Sequence, residues 1–160
     1  MTADILIAGI GNIFLGDDGF GVEVANRLSA QRWPPAVEIA EFGIRGVHLA
    51  YQLLDGYRTL ILVDAVPMGE PPGTLAVLEP DRSTPAQGGI DAHTMSPDVV
   101  LATLEGLGGS LDHVYVVGCQ PGNLEETIGL SVPVAESVSG AVALCEELVS
   151  QLVHTAGKGM

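Results

Sequence analysis

At 160 residues the chain is long enough for one domain with a substantial core, and its 47% hydrophobic content argues against disorder. Twenty acidic residues against six basic ones give a formal net charge of -14, which disfavours phosphate backbones and anionic lipid and leaves either a plain acidic surface or attraction to a basic partner or a cation. No apolar run approaches the roughly 20 residues of a membrane span, and the opening Met1-Thr2-Ala3-Asp4 lacks the basic stretch of a signal peptide, so the expectation is a cytoplasmic protein that binds neither nucleic acid nor membrane.

Without repeats or an interdomain linker, residues 1–160 are expected to form a single domain. A strand is predicted over 4–9, followed by a glycine-rich turn and a helix over about 18–30. A second strand over 36–42 leads to a helix over 46–55. Residues 59–66 open with Thr59-Leu60-Ile61-Leu62-Val63, a run apolar enough for a parallel strand covered on both faces. Residues 73–79 alternate more and follow Pro71-Pro72-Gly73, a connection too tight for a crossover helix, so that strand is expected to be antiparallel.

The next helix, 97–107, has Ser96 as a cap, Pro97 at its first position and Asp98 at its positive end. A strand over 113–119 follows. The last helix, about 134–154, begins at Pro133 and repeats Val138, Val142, Cys145, Val149 and Leu152 at helical steps. The sum is an α/β fold, a three-layer αβα sandwich around a mostly parallel twisted sheet of roughly five strands. Cys119 and Cys145 form no CxxC pair and read as buried thiols.

In such folds ligands collect at the carboxyl ends of strands, near the point where strand order reverses. The relevant stretches are 9–18, 41–46, 64–68 and 118–123. The first of them, within Gly9-Ile10-Gly11-Asn12-Ile13-Phe14-Leu15-Gly16-Asp17-Asp18-Gly19-Phe20-Gly21, looks at first like a dinucleotide turn. Phe14 replaces the third glycine, however, and Asp17 and Asp18 stand where a phosphate would rest. The only lysine is Lys158, so there is no phosphate-loop lysine either. No nucleotide cofactor is expected.

One aspartate of the pair could cap the following helix; a second exceeds what a cap needs and fits cation binding or activation of water. Asp64 ends an apolar strand, where a carboxylate is costly unless paired or ligated, and where it also could anchor the next loop. His93, in Asp91-Ala92-His93-Thr94-Met95-Ser96, precedes the capped helix. It reads either as a surface residue or as the imidazole partner of carboxylates around nickel or zinc. His48, His113 and His154 lack a comparable setting. Asp18, Asp64 and His93, from three strand-end loops, make a candidate open three-ligand site without any local metal motif.

Taken together, these residues resemble the hydrogenase maturation endopeptidases, nickel-dependent proteases that trim the large subunit of nickel–iron hydrogenases. The matching segments are Gly9-Ile10-Gly11-Asn12, Asp17-Asp18-Gly19-Phe20-Gly21, Asp64-Ala65, His93, Gly118-Cys119-Gln120-Pro121, Leu124-Glu125 and Ile128-Gly129-Leu130. The resemblance implies that Asp18, Asp64 and His93 are the catalytic, metal-contacting residues, with Asp17 as a helix cap or a supporting residue. It implies a substrate, the large-subunit precursor already loaded with nickel, from which a C-terminal extension is removed. The nickel would be carried by that precursor and touched transiently, and an attacking water would use Asp18 or Asp64 as base. Where many relatives carry an Asp-Gly-Gly-Thr-x-Gly-like segment, this chain has Glu41-Phe42-Gly43-Ile44-Arg45-Gly46. Glu41, Gly43 and Arg45 are therefore candidate substrate-binding residues, with Arg45 suited to a substrate carboxylate. A monomer is expected. The competing reading is a non-catalytic, metal-dependent chaperone or checkpoint protein that binds the immature large subunit.

Overall fold

The computed structural model describes residues 3–80 and 97–158. Among the described residues, five strands and four helices follow in the order β1 (Ile5–Ile10), α1 (Phe20–Ser29), β2 (Val37–Gly43), α2 (Gly46–Leu53), β3 (Thr59–Ala65), β4 (Leu75–Leu78), α3 (Pro97–Gly106), β5 (His113–Cys119) and α4 (Val132–Lys158), with a 3-10 turn at Gly16–Gly19. The sheet order is β2-β1-β3-β5-β4. Every pairing is parallel except β4 with β5, where Leu75 sits opposite Cys119. The antiparallel edge strand thus falls where the short Pro-Pro-Gly connection requires it.

Alternation along the strands divides the core into two layers. In β1, Ile5 and Ile7 face α1 and α4, where they join Phe20, Val24 and Leu28 of α1 and Val134, Val138 and Cys145 of α4. Leu6, Ala8 and Ile10 face the other way, against Leu49 and Leu53 of α2 and Val100 and Leu104 of α3. Both sides of β1 and β3 are buried along their whole length, as apolar parallel strands should be. Cys119 and Cys145 are buried free thiols, the latter pushed up to about 12 by burial. Among the described residues no helix is long and apolar enough to cross a membrane.

Two element ends differ from expectation. Residues 16–19 form a separate tight turn, so α1 starts at Phe20. Helix α4 starts at Val132, ahead of Pro133, because proline is tolerated in the first turn where its missing N–H has no partner to lose. Helix α3 begins at Pro97 as expected; Ser96 and His93 lie outside the described residues.

The topology fixes where chemistry belongs. From β1 the chain runs through α1 to β2 on one side, then through α2 back past β1 to β3 on the other. The carboxyl ends of β1 and β3 therefore flank the switch point. Asp18 follows the first and Asp64 is the penultimate residue of the second.

Candidate functional site

The turn after β1 is shaped by close backbone approach. Gly11 has φ +132°, and a Cβ there would lie 1.9 Å from the carbonyl oxygen of Asp18. Its N–H donates to the carbonyl of Gly43 at 2.9 Å, joining the ends of β1 and β2. Asn12 works in both directions: its side-chain oxygen accepts the N–H of Phe14 at 2.9 Å, and its own N–H donates to Asp18 Oδ2 at 2.7 Å. Phe14 is left 60% exposed beside the site. Further on, a Cβ on Gly21 would lie 2.1 Å from the carbonyl oxygen of Val63 and 2.4 Å from that of Ile10. The start of α1 thus rests on the seam between β1 and β3, which brings the Asp18 turn over Asp64.

The two carboxylates sense each other. Asp64 is only 3% exposed, and its Oδ1 has no hydrogen-bond partner. Burial first, and then the charge of Asp18, hold the Asp64 carboxyl well above the ordinary carboxylate range, with the Ala65 N–H acting the other way. Asp18 is half-buried; burial raises its carboxyl too, against the pull of the Asn12 N–H. A buried carboxylate with a free oxygen and an acidic neighbour is costly as it stands, and a cation between the pair relieves both the desolvation and the repulsion. Oxygen donors of this kind fit a divalent metal. Among the described residues no third His, Cys, Asp or Glu completes a ligand group. The described histidines, His48, His113 and His154, are all exposed.

Asp17 behaves quite differently from its neighbour. It is fully buried, and its Oδ2 accepts the N–H groups of Gly122 and Asn123, both at 2.7 Å, and the Ser131 hydroxyl at 2.8 Å. Its Oδ1 accepts the Ser131 N–H at 2.7 Å. Burial would raise this carboxyl, but the four hydrogen bonds outweigh it and hold it below the ordinary value. Neither aspartate caps the turn or α1, so the helix-cap expectation is corrected: the acceptor is spent on the loop after β5. The reading of Asp17 as a helix cap or a supporting residue did not identify these loop partners, nor was a role foreseen for Gln120, whose Oε1 accepts the N–H of Met68 and of Glu70 and so fastens the loop after β3.

The loop after β2 is tied to its own strand. Arg45 donates from Nε to the carbonyl of Phe42 and from Nη2 to that of Glu41, both at 3.1 Å, and Nη2 lies 3.5 Å from Glu41 Oε1. Gly43 turns between them with φ +57°.

Fold and pair together define a class: an α/β protein with two neighbouring carboxylates, one of them buried, at the switch point of its sheet. The hydrogenase maturation protease model matches residues 22–148. The hydrogenase expression/formation protein HupD of Rhodobacter capsulatus is 33% identical over 143 residues, covering 87% of this chain and 68% of that protein. Among solved structures, the hydrogenase maturating endopeptidase HybD from E. coli superposes with TM-score 0.75 at 29% identity, covering 97% of this chain and 94% of that one. The nickel–iron hydrogenase maturation protease HycI from Thermococcus kodakarensis gives TM-score 0.71 at 26% identity, over 92% and 93%. The chain belongs to the hydrogenase maturation protease family, and it is a peptidase.

Proposed function

We propose that this chain is an endopeptidase that removes a C-terminal extension from the nickel-loaded large-subunit precursor of a nickel–iron hydrogenase. The observation that carries the reading is the buried Asp64 with its unpartnered Oδ1, repelled by Asp18 at the switch point, in a chain of this family. Asp18 and Asp64 contact the nickel of the precursor, and His93 is the third contact on this reading. The metal belongs to the substrate and supplies polarisation of the carbonyl to be cut. The chain's own residues orient the precursor, and a carboxylate of the pair is the base available to an attacking water. Glu41, Gly43 and Arg45 form the loop that meets the precursor. The chain acts as a monomer in the cytoplasm.

The test is incubation of purified chain with nickel-loaded and nickel-free precursor, read by intact mass. Loss of a C-terminal peptide from the nickel-loaded form alone is the expected result. Stable binding without mass loss would replace the protease with a checkpoint protein, and cleavage of both forms would remove nickel as the recognition signal.

A further inference from the structure

The loop from Gly122 to Ser131 joins β5 to α4 without regular structure, and residues 122–129 are all exposed. It has little core of its own to hold it in place. Instead it is fastened to the three residues that lead into Asp18. Leu15 and Thr127 form a single parallel bridge, and the Gly16 N–H donates to the Thr127 carbonyl at 2.8 Å. The Asp17 N–H donates to the Asn123 carbonyl, also at 2.8 Å. The Asp17 side chain then grips both ends of the loop, Gly122 and Asn123 at one and Ser131 at the other. Adjacent carboxylates thus look in opposite directions, Asp17 into the loop after β5 and Asp18 toward Asp64.

We propose that Asp17 is a positioning residue: by clamping the loop 122–131 onto the β1 turn it sets the angle at which Asp18 faces Asp64, without touching metal or substrate itself. The proposal rests on the processing function above. A side chain that acts only through Asp18 should alter turnover more than binding. A misplacement of about 1 Å at a reacting group costs on the order of 100-fold in rate, whereas the precursor's larger contacts are left in place.

Asp17→Asn tests this with almost no change of shape, since it exchanges one acceptor oxygen for an NH2 that faces the donors already there. Three readouts are needed: hydrogen exchange of peptides covering 122–131, kcat and KM on the nickel-loaded precursor, and thermal denaturation. The expected result is exchange accelerated most in 122–131, with any change in β1 and β3 no larger than the fall in global stability read by denaturation accounts for, kcat lower by about 10- to 100-fold, and KM within a few-fold of wild type. Ser131→Ala, which removes only the hydroxyl donor, should shift exchange and kcat in the same direction but less, and it decides the matter if Asp17→Asn fails to fold.

A loosened loop with unchanged kcat overturns the proposal. So does a lost kcat with unchanged exchange, or a rise in KM that accounts for the whole effect. Wild-type chain that leaves the precursor whole overturns the processing reading and the proposal with it; normal wild-type cleavage with any of the preceding results overturns the proposal alone.

Discussion

Asp17 and Asp64 are carboxylates buried at the same end of one sheet, 0% and 3% exposed, yet they do opposite things to the fold. Asp17 has four donors and is held below its ordinary pKa; Asp64 has an unpartnered oxygen and is held well above it. Burial does not separate architecture from chemistry here. Satisfaction does: a carboxylate with donors on both oxygens stabilises its surroundings, whereas one left with an unpartnered oxygen against a like charge is a cost to the fold and marks a candidate for function.

The largest expected effect lies on the unsatisfied side. Asp64→Asn should lower processing of the nickel-loaded precursor by about 1,000-fold or more, while the metal-free chain loses no thermal stability because a desolvated, repelled charge is gone. Wild-type cleavage by this variant would break the contrast outright. Gly21→Ala should injure both sides together. Its new Cβ would meet the backbone carbonyls of Val63 and Ile10, and neither can move without opening the β1–β3 seam. A stability loss of about 3 kcal/mol by denaturant titration, with processing impaired, is the expected outcome.

Titration sharpens the comparison further. For Asp17 the folded pKa lies below the ordinary carboxylate value, so its stabilisation is present above that ordinary value and is lost as pH falls through the lowered one. For Asp64 the folded pKa lies well above the ordinary carboxylate value, so its contribution is complete below that ordinary value and is lost as pH rises through the raised one. In chelator, Asp17→Asn should therefore be destabilised by about 2 kcal/mol above pH 4 and converge on wild type at lower pH. Asp64→Asn should gain on wild type as pH rises over the window above 4. Denaturant midpoints measured across pH would show two curves of opposite slope; parallel curves would contradict the assignment of the two roles.

Much of this was legible in the sequence because it is local. Apolar runs with two-residue alternation locate the strands, Pro-Pro-Gly locates the antiparallel edge, and a carboxylate closing Thr59-Leu60-Ile61-Leu62-Val63 stands out as costly. Asp64 stands out as a candidate for that reason, and Asp18 as the second carboxylate of an adjacent pair in a glycine-rich turn. The role of Asp17 was not legible, since its partners lie 105 to 114 residues further along the chain. A local rule offered it a helix cap; three backbone donors from a loop with few other anchors made the better bond. The start of α1 shifted with it, because residues 16–19 are drawn into a tight turn against that loop. Gln120 was hidden likewise, as its amide reaches a loop 50 residues upstream.

Arg45 carries the smallest prediction and marks the edge of the comparison. The sequence offers its guanidinium to a substrate carboxylate, but in the fold it already bonds the carbonyls of Glu41 and Phe42 and lies beside the Glu41 carboxylate. The side chain is 55% exposed, so this pairing is screened and Arg45→Ala should cost less than about 1 kcal/mol. A guanidinium held at the strand end with its outer face in water keeps donors free for a second acceptor. The expected kinetic result is a several-fold rise in KM for the precursor with kcat unchanged, the reverse of the split expected for Asp17→Asn. An unchanged KM would assign Arg45 to the end of β2 alone and leave precursor recognition to the Asp18–Asp64 centre.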